Sequence, residues 1–314
     1  SLYPRRIFCA TRAGSGAKYD GSGRVGCYSP RDMATERRMI PREHGAYAEL
    51  LFPIVTVFLG GRPTTATWLL AVGAIAAFLA NEPLLVLVGQ RGTRMKREES
   101  ERAKRALLVF TLVALGAGLA GLLLAPRAAQ MSVVLPLLLG GTLVMLAIQG
   151  LERSVFGEGL AATALSSVAV PLGLSAGLDL TSALSVALIW AVTALLGTAV
   201  VRLTLARTKA KTDAEKRAVA AKRWTLIVVC LAVIAVGVAA PFGSRVGLWV
   251  LAAAVPVALT VLVMAALQPT ARRLRLLGWS LVAANLLSLI AVVTTLKIIQ
   301  DFESVEPTLP FPMF

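Results

Sequence analysis

Ionisable side chains at the start of the first long apolar segment are the first groups in this sequence that could do chemistry. The stretch Pro41–Glu49, PREHGAYAE, contains Arg42, the only histidine of the chain (His44) and Glu49. An ionisable group at membrane depth is costly and by default faces a cavity or a partner. Arg42 and Glu49 share one helical face and are predicted to face the same chamber. For His44 two interpretations stay open: an interfacial hydrogen bond to a loop, or proton relay or ligand binding.

A second polar group stands beside a proline in the next apolar segment. Asn81 and Glu82 precede Pro83, which removes one backbone donor and bends the helix, so both side chains are predicted to face a cavity. The alternative is a kink with one buried hydrogen-bonding pair. Candidates of the same kind near the ends of later segments are Glu152, Arg153, Glu158 and Arg202. These residues are biased toward one leaflet, which predicts a polar cavity open to the cytoplasm.

The composition indicates that these groups belong to a membrane protein. Of the 314 residues, 57% are hydrophobic and 16% are charged, and the mean hydropathy is +0.75. Backbone groups in lipid must be hydrogen-bonded within their own segment, and the long apolar runs predict helices rather than barrel strands. The predicted fold class is all-α, a polytopic membrane helical bundle. Its nine transmembrane helices are predicted over 45–61, 65–90, 106–125, 131–150, 159–178, 181–203, 224–241, 246–267 and 275–297.

The positive charge follows the order of these segments. The formal net charge is +15, and 28 of the 32 Lys and Arg fall in segments that the nine spans place on one side. The positive-inside rule puts that side, and the N-terminus, in the cytoplasm and the C-terminus outside. The partner expected from this pattern is a bilayer with anionic lipids at the cytoplasmic face, and nucleic acid is not expected.

Three regions are predicted along the chain. Residues 1–38 form a poorly ordered basic leader in which Met33 is the expected natural start, residues 39–300 form the nine-span membrane domain, and residues 301–314 form a short acidic outer tail. The two long charged cytoplasmic loops, after the second and sixth spans, are predicted to form amphipathic helices. The three cysteines indicate no disulfide framework and no metal site, and no P-loop, haem-ligand pair or nucleophile elbow indicates a cofactor or an enzyme class.

Several of these stretches carry a family resemblance. The sequence REHGAYAELLFP, followed by NEPLLVL, a basic loop and ERSVFGEGLAATALSSVAVPLG, resembles the YwiC-like family of bacterial integral membrane proteins over about residues 40–300. The R-E-H-G opening is the most specific part. The resemblance implies a bacterial cytoplasmic membrane protein and supplies no mechanism.

A more distant resemblance is to the UbiA-type intramembrane prenyltransferases. These proteins also have nine spans, a cytoplasmic N-terminus and cytoplasmic loops after spans 2 and 6 that cap a polar central cavity. Two Asp-rich motifs in that family hold Mg²⁺, which neutralises a diphosphate leaving group. Asn81 and Glu82 occupy the place of the first motif.

The chain departs from the prenyltransferase pattern at the carboxylates. Leu85 stands where the second carboxylate of the first motif belongs, and Arg202 and Arg207 stand where the second motif has Asp. A cage for a divalent cation cannot be built from these groups. The resemblance therefore implies that a bound diphosphate or other anion is contacted directly by Arg202, Arg207 and Lys209.

Three functions remain open on the sequence. The first is a diverged prenyltransferase-like protein that handles an anionic lipidic substrate without Mg²⁺ motifs. The second is a transporter for a small anion or metabolite, although short outer loops and a one-sided polar cluster do not suggest alternating access. The third is a non-catalytic membrane subunit or assembly factor. A lipidic or anionic small molecule is the ligand expected for the first two.

Overall fold

The computed structural model of the chain describes residues 44–152, 154–242, 251–268 and 274–305. The predicted leader, Arg42, Arg153 and most of the predicted outer tail lie outside these residues. The described residues are helical apart from turns and short connections. The helices are α1 (His44–Gly60), α2 (Thr65–Val88), α3 (Thr93–Leu124), α4 (Arg127–Ser132), α5 (Val134–Ile148), α6 (Val155–Ser167), α7 (Ala169–Ser175), α8 (Leu180–Lys209), α9 (Asp213–Ala239), α10 (Val255–Leu267) and α11 (Leu274–Val305).

The apolar helices confirm the predicted class of an all-α polytopic membrane protein. Seven helical segments among the described residues are long and apolar enough to cross a membrane. They are Thr65–Val88, Thr93–Leu124, Arg127–Ile148, Val155–Ser175, Leu180–Lys209, Asp213–Phe242 and Arg275–Asp301. The first and eighth predicted spans correspond to shorter apolar helices, Tyr47–Gly60 and Leu251–Leu267. The count of nine spans, like the UbiA-like arrangement, therefore stays a prediction.

Two of the seven spans are interrupted by proline. The α4–α5 span breaks at the end of α4, Ser132, and the α6–α7 span breaks at the end of α6, Ser167. Pro136 lies four positions after Ser132, and Pro171 lies four positions after Ser167. Because proline has no N–H, the carbonyl groups of these two serines lack their helical donor. One hydrogen bond of the helical ladder is lost at each of these two places, and a new helix begins after a single intervening residue, at Val134 and at Ala169.

Both long charged loops are helical, as predicted. The first is the beginning of α3, and the second is the beginning of α9, so each charged segment runs without interruption into an apolar span. The start of α9 is fixed by a capping box, in which Thr212 accepts from the backbone N–H of Glu215 and Glu215 accepts from that of Thr212. The charged turns therefore extend the spans rather than forming separate helices along the membrane surface.

Helix α8 lies at the centre of the bundle. It contributes residues to both hydrophobic clusters of the core: one contains Val186, Ile189 and Trp190, and the other contains Leu196 and Val200. In the most apolar 18-residue stretch of α8, half of the residues are buried. In the equivalent stretches of α3 and of α4–α5, only 6% are buried. The bundle is thus built around α8, and α3 to α5 expose most of their apolar surface.

Hydrogen bonds between helix ends show which ends lie together. The Gln90 side chain donates from Nε2 to the carbonyl oxygen of Ala147 at 3.0 Å, which joins the end of α2 to the end of α5. At the opposite end, Gln300 Nε2 donates to the carbonyl oxygen of Gly60 at 2.8 Å, which joins α11 to the end of α1. We call the end at which α2, α5 and α8 finish, and α3, α6 and α9 begin, the polar end.

Candidate functional site

A buried ion pair at the polar end joins Glu82 to Arg91. Glu82 lies in the last two turns of α2, and Arg91 lies in the turn before α3. The guanidinium donates from Nε to Glu82 Oε1 at 3.0 Å and from Nη2 to Oε2 at 2.5 Å. The side chain of Glu82 is 9% exposed and that of Arg91 18% exposed. A bidentate contact of this kind compensates a carboxylate that would be costly to bury alone.

A second pair joins the start of α6 to the last part of α8. Arg202 Nε donates to Glu158 Oε2 at 2.5 Å, and each side chain is about one third exposed, at 35% and 36%. Glu158 also lies in the first turn of α6, where a negative side chain complements the helix dipole. Arg202 is thus paired with one of the candidate carboxylates.

Both pairs lie at the same end of the bundle. The turn that contains Arg91 follows Gln90, whose side chain contacts the end of α5. The end of α5 leads within a few residues to α6, and α6 begins beside Glu158. Two carboxylates and two arginines from four separate segments are therefore gathered at the polar end.

The remaining candidates lie at or near this end in less defined surroundings. Glu49 is half-buried on α1, Asn81 is half-buried beside Glu82, and Glu152 is half-buried in the connection between α5 and α6. Lys209 is the exposed last residue of α8. Arg42 and Arg153 lie outside the described residues, and of His44 only the backbone, in the first turn of α1, is described.

Arg207 lies on a different face of α8 from Arg202. Five residues separate them, which is a rotation of about 140° around the helix. Arg202 contacts α6, whereas Arg207 donates from Nη1 to the carbonyl oxygen of Gln268 at the end of α10. Arg207 also lines a cavity between α8, α9 and α10. The geometry thus separates two arginines that the sequence comparison with prenyltransferases had grouped as contacts to one anion.

The charged groups of the two pairs are carboxylates held by guanidinium groups. Among the described residues, no three His, Cys, Asp or Glu side chains come together as a group that could hold a metal ion. Glu82 and Glu158 each accept hydrogen bonds from a guanidinium instead. Guanidinium groups in these positions can bind a phosphate or a carboxylate through two parallel N–H donors.

Part of this set of polar residues lies in a stretch that matches a known sequence family. Residues 40–172 match the YwiC-like protein family. The YwiC-like range contains α1 to α6 and therefore both paired carboxylates, Glu82 and Glu158, and it ends before α8 begins. The predicted YwiC-like resemblance is thus confirmed over this range. The comparisons gave no match among curated proteins and none among solved structures.

The sequence analysis missed the arginine of the more buried pair. In the sequence, Arg91 follows an apolar segment and precedes six further Lys and Arg of the same charged loop. It was therefore included only among the basic charges that set the topology. The signal that could have found it is the turn itself: Gly89 and Gly92, both with positive φ, reverse the chain between α2 and α3. A long side chain in such a turn can reach back along the preceding helix.

Proposed function

We propose that this protein is an integral protein of the bacterial cytoplasmic membrane that binds an anionic lipidic ligand at its polar end. The observation that carries the proposal is the pairing of Glu82 with Arg91 and of Glu158 with Arg202. In each pair a carboxylate from one segment holds a guanidinium from another segment in position. An anionic ligand group can approach the guanidinium of Arg202, whose side chain is 35% exposed and already oriented by Glu158.

The polar end is proposed to face the cytoplasm, with the N-terminus inside and the C-terminus outside. The support is the distribution of basic residues, since 28 of the 32 Lys and Arg precede the first span or lie in the segments at this end. A ligand drawn from the inner leaflet could then reach Arg202 from the membrane interface. The Arg202 side chain is 35% exposed, whereas Arg91 is more enclosed.

The ligand class is proposed to be a polyprenyl phosphate or diphosphate, handled as in a diverged UbiA-like prenyltransferase but without a Mg²⁺ cage. The resemblance at Asn81 and Glu82 supports the lipid class, and the guanidinium pairs support direct contact to the anion. Arginine is suited to this contact because its planar donors match phosphate oxygens.

A binding measurement tests the proposal. The full chain in detergent is titrated with geranylgeranyl diphosphate, with and without EDTA, as wild type, as Arg202→Ala and as Arg94→Ala. Arg94 forms an exposed pair with Glu98 on α3 and serves as the matched control. We expect binding that survives EDTA, is at least about tenfold weaker in Arg202→Ala, and is unchanged in Arg94→Ala. Equal binding by all three proteins would refute the role of Arg202, and loss of binding in EDTA would refute metal-free recognition.

A non-catalytic membrane subunit is the second candidate function. The observation that favours it is the small buried share of α3 and of α4–α5, since helices this exposed can pack against another membrane protein. Purification from native membranes in mild detergent tests it. A stable complex larger than the 33.0 kDa chain, with no ligand binding, would favour this function over the first.

A further inference from the structure

A cavity at the polar end lies on the side of α8 that faces away from Arg202. It has a volume of about 210 Å³ and lies between α8, α9 and α10. Three cationic side chains line it, Arg207, Lys216 and Arg223, and no described acidic side chain does. We call it the basic cavity. Its remaining lining is largely apolar and includes Leu203, Val219 and Met264.

Two of the three cations are held by the end of α10 rather than by carboxylates. Arg223 donates from Nε to the carbonyl oxygen of Ala265 at 3.0 Å and from Nη2 to that of Ala266 at 3.4 Å. Arg207 donates from Nη1 to the carbonyl oxygen of Gln268. The last carbonyl groups of a helix have no partner within the helix, so these bonds also cap α10. The guanidinium groups keep their full charge and further N–H donors for a ligand.

The electrostatic balance of the basic cavity favours an anion. The end of α10 carries a partial negative charge of about half an elementary charge. Three cationic side chains line the cavity, and one of them, Lys216, forms an exposed pair with Asp213 at 3.2 Å between Nζ and Oδ1. The partial charge of the helix end and one exposed carboxylate leave the cavity clearly positive. A group with two or more oxygen acceptors, such as a phosphate, fits these donors.

The surroundings of the basic cavity favour a phosphate that is part of a lipid headgroup. Lys216 and Arg223 are seven residues apart on one face of α9, and after Arg223 the helix becomes apolar. Trp224, next to Arg223, is 61% exposed, and Leu267 at the end of α10 is 72% exposed. A half-exposed Trp at the boundary between charged and apolar residues is typical of the membrane interface. Acyl chains can lie on the exposed apolar surface of α9 and α10 while the headgroup enters the cavity.

We infer that the basic cavity binds the phosphate headgroup of an anionic glycerophospholipid from the leaflet at the polar end. This site is separate from the proposed ligand site, because Arg202 contacts α6 whereas Arg207 contacts α10 on another face of the same helix. The inference therefore does not rest on the proposed function. Lipid in this cavity would join α8, α9 and α10 at the membrane surface.

Lipid titration of the full chain in detergent tests the inference. Phosphatidylglycerol is expected to bind and to raise the temperature of unfolding, whereas phosphatidylcholine, which has no net charge, should do neither at the same concentration. Inorganic phosphate is the third probe. If phosphate alone raises the unfolding temperature as much as phosphatidylglycerol does, a lipid ligand is refuted.

Two variants and a matched control locate the binding. Lys216→Ala removes one charge from the cavity and only an exposed pair from the fold, and it should weaken phosphatidylglycerol binding about tenfold. Ala220→Phe places a ring in the cavity, which Ala220 lines, and should have at least as large an effect. Arg217→Ala removes the same charge at the next position of α9, where the side chain is exposed and does not line the cavity. Equal lipid affinity in Lys216→Ala, Ala220→Phe and wild type, or equal losses in Lys216→Ala and Arg217→Ala, would overturn the inference.

Discussion

Arg91 holds the carboxylate of Glu82 through two hydrogen bonds, of 3.0 and 2.5 Å, across the end of α2. The two residues are nine positions apart, and the chain reverses between them and the start of α3. Among the described residues, Glu82 is the only charged residue that is buried, with 7% of its surface exposed. The pair compensates this charge and ties the turn before α3 to the helix before it.

Removal of Arg91 should be the most destabilising change among the arginines of the polar end. Arg91→Ala leaves a buried carboxylate without its guanidinium partner, which typically costs about 3–5 kcal/mol. Arg202→Ala should cost less, about 1 kcal/mol, because both members of its pair are about one third exposed and solvent screens them. Thermal unfolding in detergent measures both.

A double-mutant cycle shows whether Glu82 is the cause. Adding Glu82→Gln to Arg91→Ala should recover part of the lost stability, because the stranded charge is then absent. Arg94→Ala, which breaks an exposed pair with Glu98 on α3, should leave the unfolding temperature unchanged because solvent screens that pair. Additive losses in the Arg91 and Glu82 variants would show that the pair contributes no coupling energy.

Gly121 should tolerate no side chain at the contact between α2 and α3. A Cβ atom added there would lie 2.9 Å from the backbone nitrogen of Leu70, and a backbone atom cannot move aside cheaply. Gly121→Ala should therefore destabilise the protein by about 1–3 kcal/mol through overpacking. The control is Gly116→Ala on the same helix, where no atom lies within 4 Å of the added Cβ. That change should be neutral or slightly stabilising, and equal losses in both variants would contradict close packing at Gly121.

Thr56 should be required as a hydrogen-bond acceptor for the indole of Trp190. Trp190 Nε1 donates to Thr56 Oγ1 at 2.9 Å, and both residues are buried between α1 and α8. Thr56→Val keeps the shape but leaves the indole N–H without its acceptor, which costs about 1–3 kcal/mol. Thr295→Val is the control, since Thr295 donates only to the Ala291 carbonyl oxygen of its own helix. Equal thermal stability of Thr56→Val and wild type would contradict the role of this bond.

The sidedness of the membrane domain can be measured by cysteine labelling in intact cells. In a background with Cys9, Cys27 and Cys230 replaced, Arg62→Cys at the end opposite the polar end should react with a membrane-impermeant maleimide. Arg97→Cys, in the charged first turns of α3, should react only after the cells are opened. Both positions are exposed in the structure, so access within the protein does not limit labelling. Labelling of Arg97→Cys from outside would reverse the proposed topology.

The site shows where reasoning from the sequence reached its limit. The cost of ionisable groups at membrane depth was enough to select Glu82, Glu158 and Arg202 as candidates, and the structure shows all three in ion pairs. The partner of Glu82 was missed, because Arg91 is one of several basic residues in the same charged loop. What distinguishes Arg91 is that its side chain extends back along α2 to Glu82. The resemblance to prenyltransferases assigned Arg202 and Arg207 to one anion, but helix rotation directs them to different neighbours, α6 and α10.

The sequence by itself determined the helical class, the approximate positions of the apolar helices and the helical nature of both charged loops. These properties follow from the length and composition of single segments, since a backbone in lipid must complete its hydrogen bonds locally. Only the tertiary structure decided which helix stands at the centre, which arginine compensates which carboxylate, and that Lys216 and Arg223 share a cavity with Arg207. Such pairings depend on the packing and rotation of helices that are distant in the chain, and no local pattern encodes them.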